Sequence, residues 1–275
     1  MANPMYRQIA EDLRAQIEAG ELEPGQQVPT EIELRDRYEA SRNTVRDAIK
    51  WLMTLGLVET RPGQGTFVVE ARDPFVTTLT GDAATGVGGD EGATYRSEVS
   101  ARNRKPDTKP VQVEIQRAAG EVALRLRIPV GTEVISRHER RLIDGTAWSM
   151  QTSFYPMSFA DRGAHKLRSA GNIDEGTVQY LAKALGLKQV GYQDWITART
   201  PNATEADFFK VPPDGRVVIY EIFRTAFDGN GVPMRLTITV FPADRNQFIV
   251  NVGEVPEPLT NMIPESRSSE EAGAP

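Results

Sequence analysis

At 275 residues with 39% apolar side chains, the chain holds enough material for two cores, one small and one larger. The absence of cysteine removes disulfides, thiolate metal sites and thiol nucleophiles, and two isolated histidines, His138 and His165, leave little for a zinc centre or a serine triad; no cofactor and no metal are expected. A net charge of −6 speaks against nucleic acid only in bulk, because fields are screened beyond roughly 10 Å in 0.1 M salt and the placement of the cations decides.

No apolar run of about eighteen residues and no basic-then-apolar leader is present, so a cytoplasmic protein without a membrane partner is expected. Met5, Ile9, Leu13 and Ile17 recur at steps of four and predict an amphipathic helix closed by Gly20. After a loop marked by Pro24, Gly25 and Pro29, the run Thr30-Glu31-Ile32-Glu33 has the pattern of a capping box opening a short second helix to about Tyr38. Ser41 can cap a third, whose apolar residues Val45, Ala48, Ile49, Leu52 and Met53 fall on one face. Two capped helices joined by a short turn predict a helix-turn-helix. The β-rich runs 57–60 and 66–69, separated by Arg61-Pro62-Gly63-Gln64-Gly65, predict a hairpin that would form a wing.

The organisation expected is a helix-turn-helix domain over 1–70, a flexible linker over 71–93, a larger second domain over 94–252 and a disordered tail over 253–275. Within the larger part, a strand is expected near 111–115. Runs 134–143 and 147–155 flank Asp144-Gly145, and runs 216–227 and 232–241 flank Asp228-Gly229-Asn230-Gly231, as two hairpins. A helix near 177–185, a strand near 189–198 and a short helix capped around Thr204 lie between them. Hairpins interrupted by helices give an α+β class with a mainly antiparallel sheet.

On the third helix, Arg42, Asn43, Arg46 and Lys50 lie away from the apolar stripe and make a mostly cationic face. Arginine can bond guanine bidentately and asparagine adenine, so these residue types suit major-groove reading. Ser41 and Thr44 sit where a helix N-terminus can hold a phosphate. The bland alternative is a solvated charged face. Residues 1–70 carry 8 Lys and Arg against 12 Asp and Glu, a balance of −4, so specific binding would depend on the concentrated face of this helix and on Arg61.

The segments Tyr6-x-x-Ile9, Gly25-x-x-Val28-Pro29-Thr30-Glu31, Ser41-Arg42-Asn43-Thr44-Val45-Arg46, Gly56-Leu57-Val58 and Gly63-x-Gly65-Thr66-Phe67-Val68 resemble, at the same spacing, the winged helix-turn-helix of the GntR family of regulators. The resemblance implies that Arg42, Thr44 and Arg46 contact operator DNA and that Gln64 and Gly65 at the wing tip reach the minor groove. Arg35, Ser41, Asn43, Lys50, Arg61 and Thr66 complete the expected DNA-facing set. Ile32 stands where that family usually carries arginine.

The second part resembles, through Arg140-Arg141-Leu142-Ile143-Asp144-Gly145, Phe154-Tyr155-Pro156 and Asp244-Arg245-x-x-Phe248, the UTRA effector domain of the HutC branch, with its chorismate-lyase-like fold. In that branch an Arg-x-Arg pair and a nearby glutamate take an anionic effector. Here those positions hold Glu139, Arg141 and Gln151. Arg137, Arg141, Gln151, Tyr155 and Glu221 are the expected effector residues, with plain strand ion pairs as the alternative for the arginines. Trp148, Tyr192, Trp195 and Phe223 line either an apolar pocket or the core. Glu221 and Arg224, three apart on a strand, should face opposite ways. The expected function is repression: a homodimer on palindromic double-stranded DNA, released by a small-molecule effector. A constitutive repressor whose second domain only dimerises, and a lyase-like enzyme, are the alternatives.

Overall fold

Each early helix begins where a side chain or a proline can satisfy the first turn. The computed structural model describes residues 4–69, 74–79, 91–212 and 217–250, in two units, Met1–Arg72 and Asp73–Pro275. In the first unit, α1 (Met5–Glu18) follows Pro4, and Gly20 at φ +76 takes the left-handed position just past its end. At the start of α2 (Glu31–Tyr38), the Thr30 hydroxyl accepts from the Glu33 amide at 3.3 Å while the Glu33 carboxylate accepts from the Thr30 amide at 2.7 Å. At α3 (Arg42–Thr54), the Ser41 hydroxyl accepts from the Thr44 amide at 3.1 Å.

Ile9 and Leu13 of α1, Leu34 of α2 and Val45, Ala48 and Leu52 of α3 converge, each at most 1% exposed. Full burial stabilises by roughly 1.5–3 kcal/mol per large aliphatic side chain, which fixes α3 by its inner stripe. Strands β1 (Val58–Arg61) and β2 (Gly65–Val68) pair antiparallel, with Val58 and Val68 sealing that core. The loop after α1 joins them: Val28 donates to the Thr66 carbonyl at 2.9 Å and Val68 to that of Gln26 at 2.8 Å. Gly65, at φ +128, holds a backbone conformation that other residues rarely adopt, and a Cβ there would lie 2.3 Å from Gln27 Nε2 and push that side chain aside.

The second unit begins with β3 (Phe75–Thr78) and α4 (Glu91–Ala101), followed by β4 (Pro106–Thr108), β5 (Gln112–Arg117) and α5 (Gly120–Leu126). Next come the long hairpin β6 (Glu133–Ile143) and β7 (Thr146–Pro156), α6 (Met157–Asp161) and α7 (Thr177–Leu185). The chain closes with β8 (Gln189–Arg199), α8 (Ala203–Phe209), the hairpin β9 (Ile219–Asp228) and β10 (Pro233–Pro242), and β11 (Asn246–Ile249). The main sheet has seven strands in the order β4-β6-β7-β10-β9-β8, with β5 also on β6, and all its pairings are antiparallel. The α+β class with a mainly antiparallel sheet is therefore the architecture found.

Alternation along the strands gives this sheet two different faces. On one, α5 covers Val134, Phe154 and Leu236, and α8 covers Ala147, Ile219 and Val240. On the other, α6, the 3₁₀ turn His165–Arg168 and α7 cover Ile135, Tyr155, Ala226 and Met234 at one end. At the other end β3 and α4 cover Ile143, Trp148, Ile222 and Phe241. Between these two apolar clusters runs a polar seam.

One expected element changes. Phe75–Thr78, read as linker, forms a strand parallel to β11, with Phe75 and Val76 buried, because its partner supplies the missing hydrogen bonds. The other residues of 71–93 lie largely outside the described residues, as do Arg216 of the strand expected from 216 and the tail expected over 253–275. The helix expected to be capped around Thr204 has its cap at Asn202, whose side chain accepts from the Glu205 amide at 2.9 Å.

Candidate DNA-binding face and effector seam

With its apolar stripe against α1 and α2, α3 turns Arg42, Asn43, Arg46 and Lys50 to solvent. Ser41 is exposed but its hydroxyl is engaged in the cap and lies 2.8 Å from the Thr44 hydroxyl. A residue the sequence reading passed over organises the face. Glu31, first in α2, accepts from Arg42 Nε at 3.1 Å and from Arg46 Nε at 3.0 Å. Its role as a helix-start acid was legible; its reach to α3 depends on how the two helices cross. The Arg46 hydrogen bond, opposed by slight burial and reinforced by Arg42, holds the Glu31 carboxyl below the ordinary carboxylate range. Arg35 is exposed on α2, and Ile32 is 66% exposed beside Glu31.

In the wing, the Arg61 guanidinium lies 4.4 Å over the Phe67 ring and bonds Glu59 at 2.9 Å. Gln64 is exposed at the tip, its carbonyl accepting from Gln27 Nε2 at 3.2 Å, while Thr66 is half-buried with its hydroxyl 3.3 Å from that of Thr60. Gln27 is thus a second residue missed: it braces the tip where Gly65 makes room. The first unit therefore brings together an exposed, mostly cationic helix face and a stiffened hairpin.

Strand registers place the seam residues in rows across the sheet. Arg137, Ser153, Thr237, Arg224 and Asp194 stand opposite one another in turn. Glu139, Gln151 and Thr239 form the next row, and Arg141 stands opposite Ser149 in the third. The hydroxyls of Ser153 and Thr237 lie 3.2 Å apart, Gln151 Nε2 donates to Ser153 at 3.4 Å, and Thr239 donates to Gln151 Oε1 at 3.5 Å. These are long bonds between buried groups. Arg141, 2% exposed, donates to Glu139 at 2.9 Å and lies 5.5 Å over the Tyr95 ring of α4.

Of the residues expected at an effector site, Arg141 and Gln151 meet in this seam, and Tyr155 stands at its border in the cluster under α6 and α7. Arg137 is engaged elsewhere, since its guanidinium donates to the carbonyls of Lys166, Leu167, Ser169 and Gly171, at 2.7 to 3.3 Å, and ties down the segment between α6 and α7. Glu221 lies on the opposite sheet face, bonded to Arg199 at 2.7 Å, whereas Arg224 on the seam face forks onto Asp194 at 2.8 and 2.7 Å. Parity along the strand separates these two, as expected, and it puts Glu221 on the face away from Arg141, outside the seam.

The four aromatic side chains considered for one pocket also divide. Trp148 stacks on Tyr95 at 4.8 Å in one buried cluster, and Tyr192 borders the other on the same face. Trp195 is 58% exposed beneath Arg125 on the far face, with Phe223 in the α5 cluster. His138 is half-buried, 2.9 Å from the Thr152 hydroxyl; burial pushes its imidazole below the ordinary range, Glu114 opposes and Arg140 adds to the shift. No helix among the described residues is long and apolar enough to cross a membrane.

Comparison with known proteins places these two units among regulators. Residues 5–68 match the family described as bacterial regulatory proteins, gntR family, and residues 101–247 match the UTRA domain. An HTH-type transcriptional regulator of Streptomyces coelicolor is 30% identical over 246 residues, 88% of this chain and 90% of the relative. The mannosyl-D-glycerate transport/metabolism system repressor MngR of Escherichia coli is 46% identical over 69 residues, 25% of this chain and 29% of that protein. A crystal structure of a GntR-family transcriptional regulator, 27% identical, superposes with a TM-score of 0.68 over 92% of this chain and 99% of that one.

Proposed function

Because the chain belongs to the gntR family of bacterial transcriptional regulators and carries a UTRA domain, we propose that it is an operator-binding repressor whose α3 reads the DNA major groove and whose seam receives a small-molecule effector. The observation that carries the DNA half is the exposure of Arg42 and Arg46, at 63% and 50% of their side chains, on a helix whose opposite stripe is closed-packed. Guanine edges and phosphates compete with Glu31 for these guanidiniums. The exchange is cheap, because an exposed ion pair contributes only about 0.2–1 kcal/mol. Lys50, Asn43 and Arg35 flank the arginines; Gln64 and Gly65 are the wing's point of contact, and Arg61 and Thr66 support it.

Residues 1–70 act as the DNA-binding domain and 94–252 as the sensing and dimerising domain. A homodimer follows from specificity: one recognition helix reads few base pairs, and two on a two-fold axis match a palindrome with fixed half-site spacing. Effector binding releases the DNA only if the ligand favours one dimer geometry over another. The protein works as a regulator rather than an enzyme, in keeping with relatives that are named as regulators.

A gel-shift titration on the DNA upstream of its own gene tests this reading. The wild type should give a discrete complex that weakens by about 1–3 kcal/mol in Arg46→Ala. Equal binding by both proteins would remove α3 from the interface.

A further inference from the structure

We propose that Glu139 sets the charge specificity of the seam, holding Arg141 neutralised in place and leaving the site to an uncharged, hydroxyl-bearing ligand. This rests on the reading of the seam as the effector site. A cation can bind an anionic ligand only if its existing partners release it. Around the seam they are engaged. Arg137 is spent on the carbonyls of Lys166, Leu167, Ser169 and Gly171. Arg224 is forked onto Asp194. Arg235 donates to Gln189 at 3.4 Å. Arg141 alone stands in the rows with Ser149 and Gln151, and its partner Glu139 is two residues along the same strand face, opposite Gln151.

An incoming phosphate or carboxylate would meet the Glu139 carboxylate beside the Arg141 guanidinium. Like charges close together inside protein repel far more strongly than in water. What the seam does offer is neutral hydrogen bonding. Ser149 is fully buried and its hydroxyl has no hydrogen-bond partner, an arrangement that costs free energy unless a ligand supplies one. The bonds among Gln151, Ser153 and Thr239, at 3.4 and 3.5 Å, are long enough to be exchanged for better ones. Ligand hydroxyls can donate to Gln151 Oε1 and Glu139 and accept from Ser149, Thr239 and Gln151 Nε2 without breaking any ion pair.

The test uses the full chain and two anionic probes, inorganic phosphate and glucose 6-phosphate, titrated by calorimetry and by thermal shift. The wild type should show no saturable binding of either at millimolar concentration. Glu139→Arg, which places a second cation beside Arg141, should gain at least tenfold in affinity for glucose 6-phosphate, with a Tm rise of about 5 °C or more at saturation. Should Glu139→Arg fail to fold, Glu139→Gln frees Arg141 without adding charge or bulk, and a smaller gain is expected. Failure of every folded variant to gain anion binding overturns the proposal. So does wild-type anion binding, and Arg141→Ala then separates the causes: abolished binding means the seam is the site but takes anions, whereas unchanged binding means that the ligand sits elsewhere and the reading of the seam fails too.

Discussion

Arginine–glutamate pairs of nearly equal length occur in both units and do opposite things. On α3, Arg42 and Arg46 lie 3.1 and 3.0 Å from Glu31 with half or more of each arginine side chain in water. In the sheet, Arg141 lies 2.9 Å from Glu139 with 3% of its side chain exposed. Separation does not distinguish them; burial does. An exposed pair is held by a fraction of a kcal/mol and its arginine can be passed to DNA, whereas breaking a buried pair leaves a charge uncompensated at a cost of about 3–5 kcal/mol. On α3 the arginines stay available, and in the sheet Arg141 serves as structure.

The comparison breaks most visibly at Arg137. Arg137→Met should destabilise the second unit by about 3–5 kcal/mol, because each buried carbonyl left without a donor costs roughly 1–3 kcal/mol and water can reach only some of them. Urea unfolding followed by Trp148 fluorescence would read it, and a loss below about 1 kcal/mol would mean that the segment between α6 and α7 holds itself. The same truncation on α3 should behave otherwise. Arg42→Ala and Arg46→Ala should leave the melting temperature unchanged while costing about 1–3 kcal/mol each in operator affinity, measured by fluorescence anisotropy. A drop in stability comparable to the loss of binding would show those arginines to be structural after all.

A smaller effect is expected from the cap that starts α2. Thr30→Ala should cost about 1 kcal/mol in unfolding of the first unit, and no change would mean that the reciprocal Thr30–Glu33 bonds are replaced by water. Smaller still, Glu31→Gln should tighten binding to non-operator duplex at low salt by a few tenths of a kcal/mol to about 1 kcal/mol, since it removes a competitor for two guanidiniums. Weaker binding instead would identify Glu31 as the group that aims them.

Acid should destabilise the second unit through two partly buried groups. Burial raises the Glu205 carboxyl, but the Arg199 hydrogen bonds and the Asn202 amide outweigh it, so its value lies below the ordinary glutamate range, and that of His138 lies below the ordinary histidine range. A depressed folded-state value contributes stability that is full above the unfolded value and is lost as pH falls through the folded one. The loss should begin below the usual histidine range and deepen below the usual carboxylate range. Stability of Glu205→Gln that fell with acid as steeply as that of the wild type would exclude Glu205 from this effect.

The contrast between the units also explains what the sequence disclosed. Caps, helix period and the turn glycines act between neighbours in the chain, so α1 to α3, the wing and both long hairpins could be read directly. Phe75–Thr78 could not, because its strand character depends on Asn246–Ile249, far along the chain. α4 buries Tyr95 and Val99 but shows too short an apolar stripe to announce a helix. The cationic face of α3 was visible as residue types at a helical spacing, while Glu31 and Gln27 gained their roles only through packing. In the seam, Arg141 and Gln151 were reached only through the resemblance to the UTRA domain. Which strands bring Thr239 and Arg224 beside them depends on register, which shifts by a bulge between Arg141 and Leu142, and no local pattern encodes that.

The claim on which the rest depends is that two exposed arginines on α3 read duplex DNA in a chain of net negative charge. Selection of binding sites from a randomised duplex pool by the full-length protein, run in parallel for the wild type and the Arg42→Ala, Arg46→Ala double variant, addresses it directly. The account predicts enrichment of an inverted repeat by the wild type and none by the variant. No enrichment by the wild type, or the same repeat recovered by both, would contradict it.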